Sequence, residues 1–235
     1  MNTCFDLGAN IGNHSLFFAQ LLGNVVSFEP NPRTFKILAL NTESSTNIEV
    51  VNAGLSDEAG TLRAFEHPLN VGATGIVEKS KANIDFSVVT LDQYINENPC
   101  ESISFIKIDV EGHERSALRG ASQTLKVHRP ILALELHAKK DFQEAVRIME
   151  FLQQLGYNYA YYLTINYLSP NIFHFKKSQL ITFMNCRERI IRWCYSRPKK
   201  IDRSVNFVVS DSLVSITYRL IYVSMNCEKI NIYLA

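Results

Sequence analysis

Several features that would assign the chain to a specialised class of protein are absent from its sequence. The five cysteines are scattered and odd in number, and no C-x-x-C pair occurs, which argues against a zinc site and against a disulfide framework. The formal net charge of the 235 residues is only +1, so the chain as a whole has no electrostatic preference for nucleic acid. No signal peptide and no apolar run of about 20 residues is found, and we therefore expect a cytoplasmic protein without a transmembrane segment.

Glycine is also missing from one part of the chain, because all ten glycines precede Tyr157. This change in composition leads us to predict one domain over residues 1–186 and a separate tail over residues 187–235. The tail begins with a basic stretch, 187–203, for which a solvated linker is the simpler interpretation and binding of RNA or another anionic surface is the alternative. The overall composition, with 46% hydrophobic and 20% charged residues, is that of an ordinary globular protein.

The most informative stretch lies near the first residue. A short apolar run ending at Phe5 is followed by Asp6-Leu7-Gly8-Ala9-Asn10-Ile11-Gly12 and then by apolar positions at helical spacing. This order predicts a strand, a glycine turn and a helix, whose first N–H groups are free to bind a ligand. The Asp6 carboxylate would repel a pyrophosphate but suits a cationic group such as the α-ammonium of S-adenosylmethionine. The simpler alternative is an ordinary turn with a helix-capping aspartate.

Two further polar sites follow the next predicted strands. A strand over residues 24–28 ends at Glu29, and an acid at the end of the second strand of a βαβ unit can accept hydrogen bonds from ribose hydroxyls. The polar turn after the third strand contains Ser56 and Asp57, which could contact an adenine or could form only an Asx turn. Residues 66–84 are predicted to be an irregular loop that acts as a lid or contacts the substrate.

The second informative stretch surrounds residues 105–114. Period two places Lys107 and Asp109 on one side of a buried strand, and the lysine needs a partner there, for which Asp109 is one candidate. Asp109 and Glu111 then follow at the carboxyl edge of the sheet, although acids in this position are also explained by helix capping. His137 closes a later strand, 129–137, at the same expected edge.

Together these segments resemble the FkbM family of S-adenosylmethionine-dependent methyltransferases. The similar segments are DLGANIGNHSLFFA (6–19), FEPNP (28–32), NAGLSD (52–57), IKIDVEGHE (106–114), ALRGA (117–121) and RPILALELH (129–137). The resemblance implies an α/β class I methyltransferase (Rossmann-like) fold, with a mostly parallel seven-stranded sheet, one antiparallel strand and helices on both faces. Members have a longer segment before the first motif, so the resemblance also implies an N-terminal truncation.

The resemblance implies a chemistry and a set of site residues as well. The expected activity is transfer of a methyl group from S-adenosylmethionine to a hydroxyl of a sugar, a glycan or a natural product. The expected cofactor-binding residues are Asp6, Gly8, Asn10, Gly12, Glu29, Asn31, Ser56, Asp57 and Asp109. His137 is the expected general base, oriented by Asp109 or Glu111. A divalent metal held by these three residues is the weaker alternative, since a metal also lowers the pKa of an acceptor hydroxyl.

Three other functions have weaker support in the sequence. A nicotinamide-dependent oxidoreductase is disfavoured by Asp6 and by the absence of the third glycine of G-x-G-x-x-G. One basic stretch, 187–203, is thin support for a nucleic-acid partner. A catalytically inactive remnant that binds only the cofactor stays open, and the sequence does not indicate an oligomeric state.

Overall fold

The computed structural model describes residues 2–67, 70–76, 83–136, 142–157, 159–162, 165–167, 173–175, 179–182 and 205–210. The chain forms two compact units, Met1–Pro130 and Ile131–Ala235. The domain boundary predicted between residues 186 and 187 lies outside the described residues. Within the described part of the chain, no helix combines the length and the apolar character needed to cross a membrane.

Parallel strands form the centre of the first unit. Its strands are β1 (Asn2–Leu7), β2 (Asn24–Phe28), β3 (Ile48–Val51), β4 (Gly54–Leu55), β5 (Gly60–His67), β6 (Asn70–Ile76), β7 (Ile84–Val89) and β8 (Ser102–Ile108). Four of them lie side by side in the order β3-β2-β1-β8, and every pairing between these neighbours is parallel. This order, in which the chain starts at a central strand, is typical of doubly wound α/β proteins. It places the carboxyl end of β1 between the carboxyl ends of β2 and β8.

Helices cover both faces of this parallel sheet. The helices of the unit are α1 (Asn13–Leu21), α2 (Pro32–Thr42), α3 (Leu91–Glu97), α4 (Glu114–Arg119) and α5 (Ser122–His128). Phe18 of α1 packs edge-on against Phe105 of β8, with ring centroids 5.2 Å apart. On the opposite face, Tyr94 of α3 packs against Phe5 and Phe28, at 6.2 and 5.0 Å. The predicted α/β class with helices on both faces is therefore confirmed.

A smaller sheet of the first unit corrects one prediction. The order of its strands is β4-β7-β5-β6, and β5 pairs with both β6 and β7 in antiparallel fashion. Much of the segment 66–84, predicted to be an irregular loop, is therefore strand. The prediction was wrong because Gly72 and Gly75 disfavour a strand locally, whereas pairing with β5 satisfies the backbone groups of β6.

The described residues of the second unit form one helix and strands that pair in antiparallel fashion. Its elements are β9 (Ile131–Leu136), α6 (Phe142–Gln154), β10 (Tyr159–Tyr162), β11 (Ile165–Tyr167), β12 (Phe173–Phe175), β13 (Gln179–Thr182) and β14 (Val205–Ser210). The pairs β9–β14, β14–β10 and β10–β13 are all antiparallel, which is more antiparallel pairing than the single strand implied by the resemblance. Strand β14, which belongs to the predicted tail, lies between β9 and β10.

Candidate functional site

The candidate site lies where β1, β2 and β8 end. Because these strands are parallel and in register, their carboxyl ends meet at one edge of the sheet, where open α/β folds bind ligands. Asp6 is paired with Ser27 on β2 and with Lys107 on β8, so polar residues of three neighbouring strands form a row beneath this edge. The register therefore brings together residues that are about 100 positions apart in the sequence.

Asp6 is completely buried, with 0% of its surface exposed. Its carboxylate accepts a hydrogen bond from Ser15 Oγ of α1 at 2.7 Å and one from Lys107 Nζ at 3.1 Å. Ser27, beside it on β2, has a buried hydroxyl with no hydrogen-bond partner among the described residues. The carboxylate that the sequence assigned to a ligand is thus held by two side chains of the protein itself.

The glycine turn after β1 lies directly against the backbone that follows β8. Gly8 has a φ of +79°, and a Cβ added there would come within 1.9 Å of the Asp109 carbonyl oxygen. Asp109 N in turn donates to the Leu7 carbonyl at 3.0 Å. Gly12, at a φ of +92°, and Asn10, at a φ of +52°, also have left-handed backbones. The turn requires glycine at position 8 for both conformation and space.

Glu29 ends β2 as predicted, and backbone groups hold its carboxylate. Oε2 accepts from Asn10 N and Oε1 accepts from Asn31 N, each at 2.9 Å. Burial raises the pKa of Glu29 above its ordinary value, although the two backbone N–H groups oppose this shift. Each carboxylate oxygen has two lone pairs, so one backbone donor leaves each oxygen able to accept a second hydrogen bond.

The residues around Glu29 fix its loop. Asn31 is buried, and its side chain accepts a hydrogen bond from Arg33 N at 2.9 Å, which caps α2. Asn52 Nδ2 donates to the Glu29 carbonyl at 2.8 Å, so the turn after β3 is tied to the end of β2. Asn31 thus contacts Glu29 through its backbone while its side chain starts the following helix.

The predicted adenine turn is joined to the loop after β8. Ser56 is buried, and its hydroxyl lies 3.1 Å from Asp57 Oδ1 and 3.0 Å from His113 Nε2. Burial lowers the pKa of His113, while the charge of Asp57 acts in the opposite direction. The backbone of Gly120 packs closely against the same turn, because a Cβ at Gly120 would come within 1.9 Å of the Ser56 carbonyl oxygen.

The acids after β8 differ in their environments. The Asp109 side chain is 24% exposed, and its Oδ2 lies 3.5 Å from Lys107 Nζ. Glu111 is exposed and has a left-handed backbone, with a φ of +49°. Glu114, by contrast, is buried and accepts a hydrogen bond from Gly112 N at 2.9 Å, which joins the start of α4 to the turn before it.

The remaining predicted catalytic residue, His137, lies outside the described residues. Among the described residues, no three histidine, cysteine, aspartate or glutamate side chains are grouped so that they could hold a metal ion.

Three residues that contact the site were not given a role from the sequence. Ser15 donates a hydrogen bond to Asp6, and His113 forms a hydrogen bond with Ser56. Lys107 lies closer to Asp6 than to Asp109, the partner that the sequence suggested for it. The buried lysine in an apolar strand was a usable signal, since a buried charge requires partners. No local pattern identifies Ser15 or His113, because their partners are set by tertiary contacts.

The sequence is similar to those of known methyltransferases. The sequence matches the methyltransferase FkbM domain family over residues 6–159. It is 27% identical over 146 residues to the hexuronic acid methyltransferase AglP of Haloferax volcanii, covering 62% of this chain and 60% of that relative. It is 26% identical over 154 residues to the methyltransferase sdnD of Sordaria araneosa, covering 50% of this chain and 60% of that relative.

The chain thus spans about 60% of the length of these two relatives. A crystal structure of the methyltransferase FkbM from Methylobacillus flagellatus KT is similar with a TM-score of 0.47 and 19% identity, over 76% of this chain and 42% of that one. Because the family match extends over well more than half of the sequence, the chain belongs to the methyltransferase FkbM domain family.

Proposed function

We propose that the protein binds S-adenosylmethionine at the carboxyl ends of β1, β2 and β8 and transfers its methyl group to a hydroxyl of a sugar or a natural product. The observation that supports this most strongly is the Glu29 carboxylate. It is buried at the end of the second parallel strand, and both of its oxygens are oriented by backbone N–H groups of the flanking turns. An acceptor held in this way suits the two hydroxyls of a ribose.

The residues at this edge fit the other parts of the cofactor. The turn formed by Gly8, Asn10 and Gly12 has left-handed backbone conformations, and we propose that its backbone lies against the methionine part of the cofactor. Ser56 and Asp57, joined by a hydrogen bond, are proposed to contact the adenine, and Asp109 the ammonium group. When bound, S-adenosylmethionine supplies an electrophilic methyl group on a sulfonium.

The contribution of the protein to such a transfer is alignment and removal of a proton. An alcohol is a weak nucleophile, so a base must accept its proton as the oxygen attacks. We propose His137 as this base, with Asp109 or Glu111 as the residue that orients it, on the sequence alone. A neutral imidazole with an ordinary pKa of about 6.5 is suited to this task near neutral pH.

A sugar is the favoured acceptor class. One relative, from Haloferax volcanii, is named a hexuronic acid methyltransferase and is 27% identical to this chain over 146 residues. Hydroxyls of a uronic acid or of a related glycan are therefore the acceptors to test first.

The proposal is tested first by binding. Calorimetric titration of the chain with S-adenosylhomocysteine should give saturable binding, and Glu29→Gln should weaken it about tenfold or more, as loss of hydrogen bonds to a charged group predicts. Glu58→Gln is the matched control, because Glu58 is exposed on the polar turn before β5. Absence of binding by the folded wild-type chain would refute the cofactor site.

Turnover is tested with radiolabelled S-adenosylmethionine and a panel of uronic acids and glycans. Transfer of label that is lost in His137→Ala, while binding of S-adenosylhomocysteine is retained, would support the base. Full activity of His137→Ala would remove His137 from the mechanism. Binding without transfer to any acceptor would instead favour a protein that only binds the cofactor.

A further inference from the structure

A lysine lies in the most buried part of the parallel sheet, directly beneath the site. Lys107 is 8% exposed, and Phe105, Ile106 and Ile108 beside it on β8 are buried as well. Its partner in the register between β8 and β1 is Asp6, so the two side chains lie on the same face of neighbouring strands. Burying an ammonium is costly unless it is paired and hydrogen-bonded.

Lys107 Nζ contacts groups from both loops of the site. It lies 3.1 Å from Asp6 Oδ1, 3.2 Å from the Gly8 carbonyl oxygen and 3.5 Å from Asp109 Oδ2. Gly8 belongs to the turn after β1, whereas Asp109 is the first residue after β8. One buried ammonium therefore joins the two backbone segments that approach each other at the edge of the sheet.

The two carboxylates that contact Lys107 differ in their exposure to solvent. Among the described residues, the Asp6 and Asp109 carboxylates form ion pairs with this ammonium, and the three groups sum to a charge of −1 when all are ionised. Asp6 is completely buried and is also bonded by Ser15, whereas the Asp109 side chain is 24% exposed. A cation arriving from solvent would therefore meet Asp109 and not Asp6.

We propose that Lys107 is a positioning residue of the cofactor site, which orients the Asp109 carboxylate and the Gly8 backbone for the aminocarboxylate end of S-adenosylmethionine. In this arrangement Asp6 is the buried counter-ion of Lys107 and does not contact the cofactor. This inference rests on the proposed function, because it assigns one part of that site to one part of the ligand. It differs from a simple stabilising ion pair, which could be replaced by apolar residues without loss of binding.

The test compares two ligands that differ only beyond the thioether. S-Adenosylhomocysteine contains the aminocarboxylate, and 5′-methylthioadenosine lacks it but keeps the adenosine. In Lys107→Met, calorimetry should show a loss of affinity for S-adenosylhomocysteine of about tenfold or more, equal to about 1.4 kcal/mol. The affinity for 5′-methylthioadenosine should change much less, since adenine and ribose are held elsewhere.

The controls separate positioning from general damage. Lys126→Met, at an exposed lysine of α5, should leave both affinities unchanged. If Lys107→Met does not fold, because Asp6 is left buried without its cation, Asp6→Asn/Lys107→Met removes both charges and should show the same selective loss. Equal losses for both ligands, or no loss, would overturn the inference while leaving the proposed function in place. Failure of the wild-type chain to bind either ligand would overturn both.

Discussion

The ends of β1 and β2 present two buried carboxylates that the protein holds in different ways. Asp6, at the end of β1, is bonded by the Lys107 ammonium and the Ser15 hydroxyl and is fully inaccessible. Glu29, at the end of β2, accepts hydrogen bonds from the backbone N–H groups of Asn10 and Asn31 in the adjoining turns, and burial raises its pKa.

This difference supports different roles for the two carboxylates in the proposed site. A side-chain cation neutralises Asp6, which makes it part of the scaffold of the glycine turn. The N–H groups at Glu29 orient its carboxylate without neutralising it, and the raised pKa indicates that a further hydrogen-bond donor would be favourable there. Glu29 is therefore suited to bind a ligand, whereas Asp6 is suited to hold the site in shape.

The largest expected effect concerns the close backbone contact at the end of β1. Gly8→Ala should destabilise the protein by about 3 kcal/mol or more, because the new Cβ would overlap the Asp109 carbonyl and the left-handed backbone would be strained. The change is measured by urea unfolding.

Two other glycines provide graded controls for this substitution. Gly112→Ala adds strain at a φ of +95° but no overlap, since nothing lies within 4 Å, and should cost about 1 kcal/mol. Gly60→Ala has open space and should be close to neutral. Equal effects at all three positions would contradict the close approach of the two loops.

The second prediction concerns the different effects of substituting Asp6 and Glu29. Asp6→Asn should lower the free energy of unfolding by about 2–3 kcal/mol, because it leaves Lys107 buried with a weaker partner. Glu29→Gln should cost less stability, because the ionised Glu29 is already disfavoured by burial. The order should reverse for affinity toward S-adenosylhomocysteine, with Glu29→Gln the more damaging. A variant of Asp6 that loses binding but keeps its stability would show that Asp6 contacts the ligand.

The sequence was sufficient to predict the elements around this comparison. The short strand before Asp6, the glycine turn and the strand that ends at Glu29 each have a local signal, and the α/β class follows from their order. Strand β6 has no such signal, because Gly72 and Gly75 are unfavourable for a strand until the partner strand β5 is present.

The partners of the site residues could be predicted only in part. Lys107 was expected to need a partner, and Asp109 two residues away was the local candidate. The closer partner, Asp6, is determined by the register of β8 against β1, which joins residues 101 positions apart and is not encoded by any local pattern. The contact between His113 and Ser56, 57 positions apart, is hidden from sequence for the same reason.

The third prediction sharpens the assignment of Glu29 through its proton. If ribose hydroxyls donate to the carboxylate, they stabilise its ionised form, and binding should lower the raised pKa of Glu29. Binding of S-adenosylhomocysteine at about pH 5 should then release protons, and titrations in buffers of different ionisation enthalpy would detect them. Glu29→Gln should abolish this release, whereas Glu58→Gln should retain it. Proton uptake by the wild-type chain would contradict the ribose contact.

The smallest expected effect is a pH dependence of stability caused by His113, which contacts the turn at Ser56. Burial lowers the pKa of His113 in the folded state, so the unfolded state binds a proton more readily as the pH falls. The neutral imidazole therefore contributes stability above its unfolded pKa of about 6.5, and this contribution is lost as the pH falls through the lower folded pKa. Because the His113 ring is only half-buried, solvent screens its charge. The resulting change in the free energy of unfolding should therefore be much smaller than that caused by Asp6→Asn. Urea unfolding between pH 7 and pH 5 should show the loss in the wild-type chain relative to His113→Gln, and parallel pH profiles of the two proteins would exclude it.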